Sequence, residues 1–189
     1  MALATRGITC LLALAGLVAA PAAPAAELRI TLLGDAGDPR VAATHAAVDW
    51  WNEQLAAAGT DLRLRVAGVV ASPVAPGFHA SVPSGPAAVG TVLDPGDLSG
   101  IPGDILLAIP DELFVSFTHR LADGRAYIGV RQIRGTRWDV PGIAVNVIAH
   151  EIGHALGLRH LADPDLLMCG RPADCDPSRF AAGGGAIWP

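Results

Sequence analysis

The stretch His150-Glu151-Ile152-Gly153-His154-Ala155-Leu156-Gly157-Leu158-Arg159-His160, with Met168 eight residues further on, decides how the rest of the chain is read. Upstream, Asp139 and Pro141 can open a helix, because proline is tolerated in a first helical turn, and Ile143, Val147, Ile148 and Ile152 recur at helical spacing. On that helix His150 and His154 stand four residues apart, so both imidazoles project from one face and can reach one ion. Gly157 lets the backbone leave the helix through a left-handed conformation that a residue with a Cβ enters only at a cost. His160 can then swing back as a third ligand.

Three neutral imidazoles leave the fourth position of a tetrahedral Zn2+ open to water, which distinguishes a catalytic zinc from a closed structural one. Glu151, adjacent to a ligand, is poorly placed to bind the same ion. Its expected role is that of general base, taking a proton from zinc-bound water as that water attacks a carbonyl and passing it to the leaving amine. An HExxH pattern alone recurs by chance on amphipathic helices. Chance would also have to supply the third histidine, the intervening glycine and the downstream methionine.

The pattern HExxHxxGxxH with a following methionine resembles the metzincin zinc peptidases. Among these it is most similar to the matrixins: Gly153 makes the core HExGH, Leu158 follows Gly157, and the step from His160 to Met168 suits a short Met-turn. Astacins would place Phe at position 158 and Glu at 161, and adamalysins Asp at 161, where this chain has Leu158 and Leu161. Serralysins would continue into glycine-rich calcium-binding repeats, and none follow. The resemblance implies that Met168 forms an apolar floor beneath the metal without binding it. It also implies that Asn146, four residues before the first zinc histidine, points into the S1′ pocket, with Arg171 or Pro172 as the opposite wall. A buried unpaired amide costs about 1–3 kcal/mol, so Asn146 there suggests a polar pocket floor. Alternatively Asn146 only bonds a neighbouring loop, and both readings stay open. Matrixins also hold a structural zinc and calcium ions in a long loop; here His79, Asp94 and Asp97 are too few and too scattered to claim them, and calcium is left open.

Composition bounds the chain to one domain: 189 residues, 51% hydrophobic, with no internal repeat. All thirteen basic residues are arginine, from which no function follows, and the net charge of −5 gives no attraction to nucleic acid or an anionic membrane. Residues 1–25 have one early charge, Arg6, an apolar run from Ile8 to Ala20 and small residues before Glu27, the pattern of a secretory signal peptide. The run is shorter than the about 20 residues of a membrane anchor. Residues 26–189 are then a single catalytic domain, secreted or periplasmic. Its signal segment runs straight into the first strand, so no cysteine switch of the matrixin kind is expected. Removal of Cys10 with the signal leaves Cys169 and Cys175, which outside the cytoplasm are expected to be bonded, stapling the segment after Met168. The alternative is Cys169 as a fourth zinc ligand, which would close the site.

Strands are expected over Leu28–Leu33, Asp61–Ala71, Asp104–Ile109, Leu113–His119 and Arg125–Ile133, the last two joined at Asp123-Gly124 as a hairpin. Pro39–Ala58 reads as a helix with Val41, Val48, Trp51 and Leu55 near helical spacing. In strand Asp61–Ala71, Leu62, Leu64 and Val66 share one face. Ser72 to Gly103 reads as a long loop, and His45 and His119 as structural or surface residues. With the resemblance, this order implies an α+β fold: a twisted, mixed, five-stranded sheet with two main helices, the second carrying the zinc ligands and leading into the Met-turn and a short C-terminal segment. After Met168 the tail departs from matrixins, since Gly183-Gly184-Gly185 would break a C-terminal helix. The expected function is a secreted, monomeric zinc endopeptidase acting on protein or peptide substrates, without nucleic acid or a stable membrane anchor. The alternative is a zinc-containing binding module with little or no turnover.

Overall fold

Ile30 and Leu32 on one face and Leu33 on the other leave neither face of the Ile30–Leu33 strand suited to water, and both are buried. In the computed structural model, which describes residues 26–83, 93–140, 142–170 and 175, the stretch is β1 (Glu27–Leu33). It is followed by α1 (Pro39–Ala57), β2 (Arg63–Val70), a short α2 (Phe78–Ser81), β3 (Ile105–Ala108), β4 (Phe117–Arg120), β5 (Ala126–Gly129) and α3 (Ile143–Ala155). The strands form one sheet in the order β2-β1-β3-β5-β4, parallel throughout except for β4, which runs antiparallel to β5. This is the mixed five-stranded α+β sheet that was expected, with the all-apolar β3 at its centre and β4 at one edge.

Strand alternation divides the core into two layers. Ile30, Leu32, Ile105, Leu107, Ala126 and Ile128 pack with α1 and α3. Leu33, Leu106, Ala108 and Tyr127 point to the opposite face. That face is covered by the described parts of the Ser72–Gly103 stretch, which corrects its reading as a loop throughout: α2 lies within it, and Leu93 and Leu98 are buried. A sheet apolar on both sides requires such a cover.

Two hairpin strands are shorter than expected, with only four residues each. The ladder stops where the Ser116 hydroxyl, instead of a main-chain carbonyl, accepts from the Arg131 amide at 3.1 Å. Leu113 and Val115 beyond it stand exposed at 64% and 63%. Leu62 likewise falls outside β2.

On α1 the buried face is Arg40, Ala43, Thr44, Ala47, Val48 and Trp51, while Val41 and Leu55 are only partly buried. The Trp51 indole donates to the Ala149 carbonyl at 2.9 Å, tying α1 to α3, and Trp50 lies at the margin. Arg40, 2% exposed, was not singled out by its sequence context. Its guanidinium pairs with Asp38 at 2.7 Å and donates to the carbonyls of Ile109, Pro110 and Val130, which end β3 and β5. Truncation would leave a carboxylate and three carbonyls short of a partner. Arg40→Ala is therefore expected to cost about 3–5 kcal/mol of stability, the range for breaking one side of a buried ion pair. Urea unfolding measures it, and a loss below about 1 kcal/mol, the size of one ordinary hydrogen bond, would contradict this account.

α3 starts at Ile143, with Gly142 as its N-cap at φ 88°. Asp139 does not open it: its carboxylate accepts from the Gly135 amide at 2.9 Å and closes the preceding turn. Pro141 and the signal segment lie outside the described residues, as does the tail beyond Cys175.

Candidate active site

His150 and His154, one turn apart on α3, place their Nε2 atoms 3.1 Å from each other. The Nε2 of His160 lies 3.2 Å from the first and 3.0 Å from the second. At the far side of the rings, His150 Nδ1 donates to the Leu167 carbonyl at 2.7 Å and His154 Nδ1 to the Leu158 carbonyl at 2.8 Å. A carbonyl only accepts, so these Nδ1 atoms carry the protons, and in a neutral ring Nε2 is left with a lone pair. Burial pushes the His150 imidazole down to about 4, so that ring is neutral at physiological pH. Burial, and His154 beside it, lower His160 as well.

Lone pairs this close repel unless a cation lies between them. Three nitrogens each 2.0–2.1 Å from a tetrahedral Zn2+ would be about 3.3 Å apart, close to the triangle found. The donor set therefore fits zinc. Among the described residues these three histidines form the cluster able to hold a metal ion, and Glu151 is not part of it.

Small residues bring His160 into place. Gly157, at φ 94°, turns the chain out of α3. Leu161 then pairs with the Met-turn, its amide donating to the Met168 carbonyl at 2.7 Å and its carbonyl accepting from Gly170 at 2.9 Å. A Cβ on Gly170 would collide with the His160 ring, and one on Gly153 with the Met168 sulfur. Gly153 thus sits between the two helical ligands because buried Met168 packs directly against the helix backbone. Cys169 is bonded to Cys175, as expected, so its sulfur is not available as a fourth ligand.

Glu151 faces β4. It is 6% exposed, and the Thr118 hydroxyl lies 2.7 Å from its Oε2 and 2.9 Å from its main-chain oxygen. Burial pushes its carboxyl up to about 7, against the opposing pull of the Thr118 hydrogen bond. A carboxyl poised there suits proton transfer at neutral pH. Thr118 was not identified from the sequence, where the only signal was its place in a hairpin strand.

The other histidines and the loop aspartates lie away from the three-histidine cluster. His79 is buried on the far face of the sheet, sharing a 2.8 Å hydrogen bond with the Tyr127 hydroxyl and stacking on Phe114. Asp94 and Asp97 accept from the amides of Gly96 and Ser99. No second metal cluster occurs among the described residues. His119 is half-buried on β4 with its ring edge-on to Phe117, and His45 is exposed on α1. Asn146 is 3% exposed, one turn before His150 on α3, while Arg171 and Pro172 lie outside the described residues.

No protein-family model matches the chain, and no curated protein sequence does. Among solved structures the chain is similar to an archaemetzincin from Methanopyrus kandleri, at 18% identity and a TM-score of 0.44, covering 81% of this chain and 85% of that one. Similarity at that level fixes neither activity nor ligand for this chain.

Proposed function

We propose that this chain is an exported zinc-dependent endopeptidase of metzincin type, with the matrixins as the branch its motif most resembles. The observation that carries this reading is the triangle of three Nε2 atoms, two of them held as lone pairs by carbonyls behind the rings, next to a buried carboxyl on the same helix. Export is supported by the apolar leader pattern and by the Cys169–Cys175 disulfide, which persists in oxidising compartments. Among the described residues, no helix is long and apolar enough to cross a membrane. The protein is expected to work as a monomer on protein or peptide substrates.

Among the described residues β4 is an edge strand, so an extended peptide can add to it as a sixth strand, its main chain held while its side chains fall into pockets. Zinc at the three histidines would supply Lewis acidity, polarising the scissile carbonyl and making a water acidic near neutral pH. Glu151 takes a proton from the attacking water at its carboxylate and returns it to the amide nitrogen as the C–N bond breaks. The water oxygen ends in the new carboxyl group and the departing strand leaves as an amine. The Nδ1–H bonds of His150 and His154 to main-chain carbonyls hold those two rings with Nε2 turned toward the metal position.

Digestion of a proteome-derived peptide library, with and without chelator and with zinc restored, tests the proposal. Internal cleavages that vanish with chelator and return with zinc are expected. A folded, zinc-loaded protein that cleaves nothing would leave the binding-module reading in its place.

Asn146 is proposed as a polar floor of the S1′ pocket, supported by its burial on the helix face that also carries His150 and His154. Asn146→Leu is then expected to shift cleavage toward sites with Leu or Met after the scissile bond while zinc content stays the same. An unchanged cleavage profile would make Asn146 a structural residue only.

A further inference from the structure

We propose that Thr118 is a positioning residue for Glu151, fixing the carboxyl of the proposed general base from the edge strand of the sheet. The inference rests on the peptidase reading above, and the contact itself joins β4 to α3 through atoms of Thr118 and Glu151 only. Thr118 lies on β4 opposite Ile128, on the face turned toward α3. Its side chain is β-branched, and in a strand that stiffens χ1 and holds the hydroxyl in one direction. The hydroxyl ends 2.7 Å from Oε2, a distance typical of a charge-assisted hydrogen bond to a carboxylate.

The second contact distinguishes this arrangement from a simple brace. A hydroxyl has one proton and two lone pairs, and Thr118 lies within reach of two oxygens of the same residue, Oε2 and the main-chain oxygen at 2.9 Å. One hydroxyl thus spans the tip and the root of the Glu151 side chain, holding its rotamer against the edge strand from both ends. Valine has the same shape and offers neither interaction.

Thr118→Val and Thr118→Ser, each assayed with the wild type for peptide cleavage, zinc content and thermal unfolding, test this. Thr118→Val is expected to keep full zinc, fold and KM while kcat falls about 10- to 100-fold, the size of one lost hydrogen bond to a charged group. Thr118→Ser, which retains the hydroxyl, should recover most of that loss. A Thr118→Val variant within twofold of wild-type kcat overturns the role of Thr118 and leaves the peptidase reading standing. So does an equal loss in the serine variant, which would mark a packing effect. A zinc-loaded wild type that cleaves nothing overturns the peptidase reading, and the role of Thr118 with it.

Discussion

Glu151→Gln is expected to retain zinc and fold while kcat falls about 10²- to 10⁴-fold, the usual contribution of a positioned general acid–base. That corresponds to about 3–5 kcal/mol of lost transition-state stabilisation. The substitution changes little in shape, and the amide oxygen can still accept from the Thr118 hydroxyl, so the edge strand and α3 should stay in contact. The amide cannot take a proton from water at neutral pH, and that is the one function removed. Nor should the variant be less stable. The native carboxyl is raised to about 7 because burial disfavours its charge, and a neutral amide avoids that cost. Steady-state kinetics, zinc analysis and thermal unfolding on one preparation separate the outcomes. Near wild-type kcat would show that another base operates, whereas a collapse of Tm together with activity would point to misfolding.

The elements legible in the sequence were those whose periodicity was local. Val48 and Trp51 marked α1, the apolar run at Ile105–Ala108 marked a central strand, and HExxHxxGxxH placed three imidazoles around one point. What escaped the sequence depends on partners distant along the chain. Arg40 looks like an ordinary first-turn arginine until β3 and β5 end their carbonyls against it, about 70 and 90 positions away. Thr118 meets Glu151 across 33 positions, and Trp51 meets Ala149 across 98. The Gly170 cradle for His160 needs the paired segments after the helix to exist first. The hairpin strands were overestimated for the same reason: the apolar character of Leu113 and Val115 suggested continuation, but a side-chain oxygen from Ser116 ends the ladder. The stretch from Ser72 lacks periodicity because its apolar residues, Phe78 of the four-residue α2 among them, serve a sheet face rather than a long element of their own. Gly153 was read from a pattern, and its physical cause, the sulfur of Met168 against the helix, became visible only in three dimensions.

The central claim is that three imidazoles hold one catalytic zinc, and His154→Ala puts it to the strongest test. Losing this side chain removes one of three ligands and a corner of the triangle, in which His154 Nε2 is 3.1 Å and 3.0 Å from the other two. Two remaining imidazoles, one of them on an exposed turn, do not make a closed tetrahedral set. Cleavage should disappear along with the metal, while α3, held by Ile148, Ala149 and Ile152 in the core, stays folded. The deciding measurement is elemental analysis with zinc-edge X-ray absorption on the zinc-reconstituted wild type and the variant. The account predicts about one zinc per wild-type chain, bound through nitrogen at about 2.0–2.1 Å with no sulfur ligand, and essentially none in His154→Ala. A folded wild type that takes up no zinc, or a variant that keeps its full complement, would contradict it.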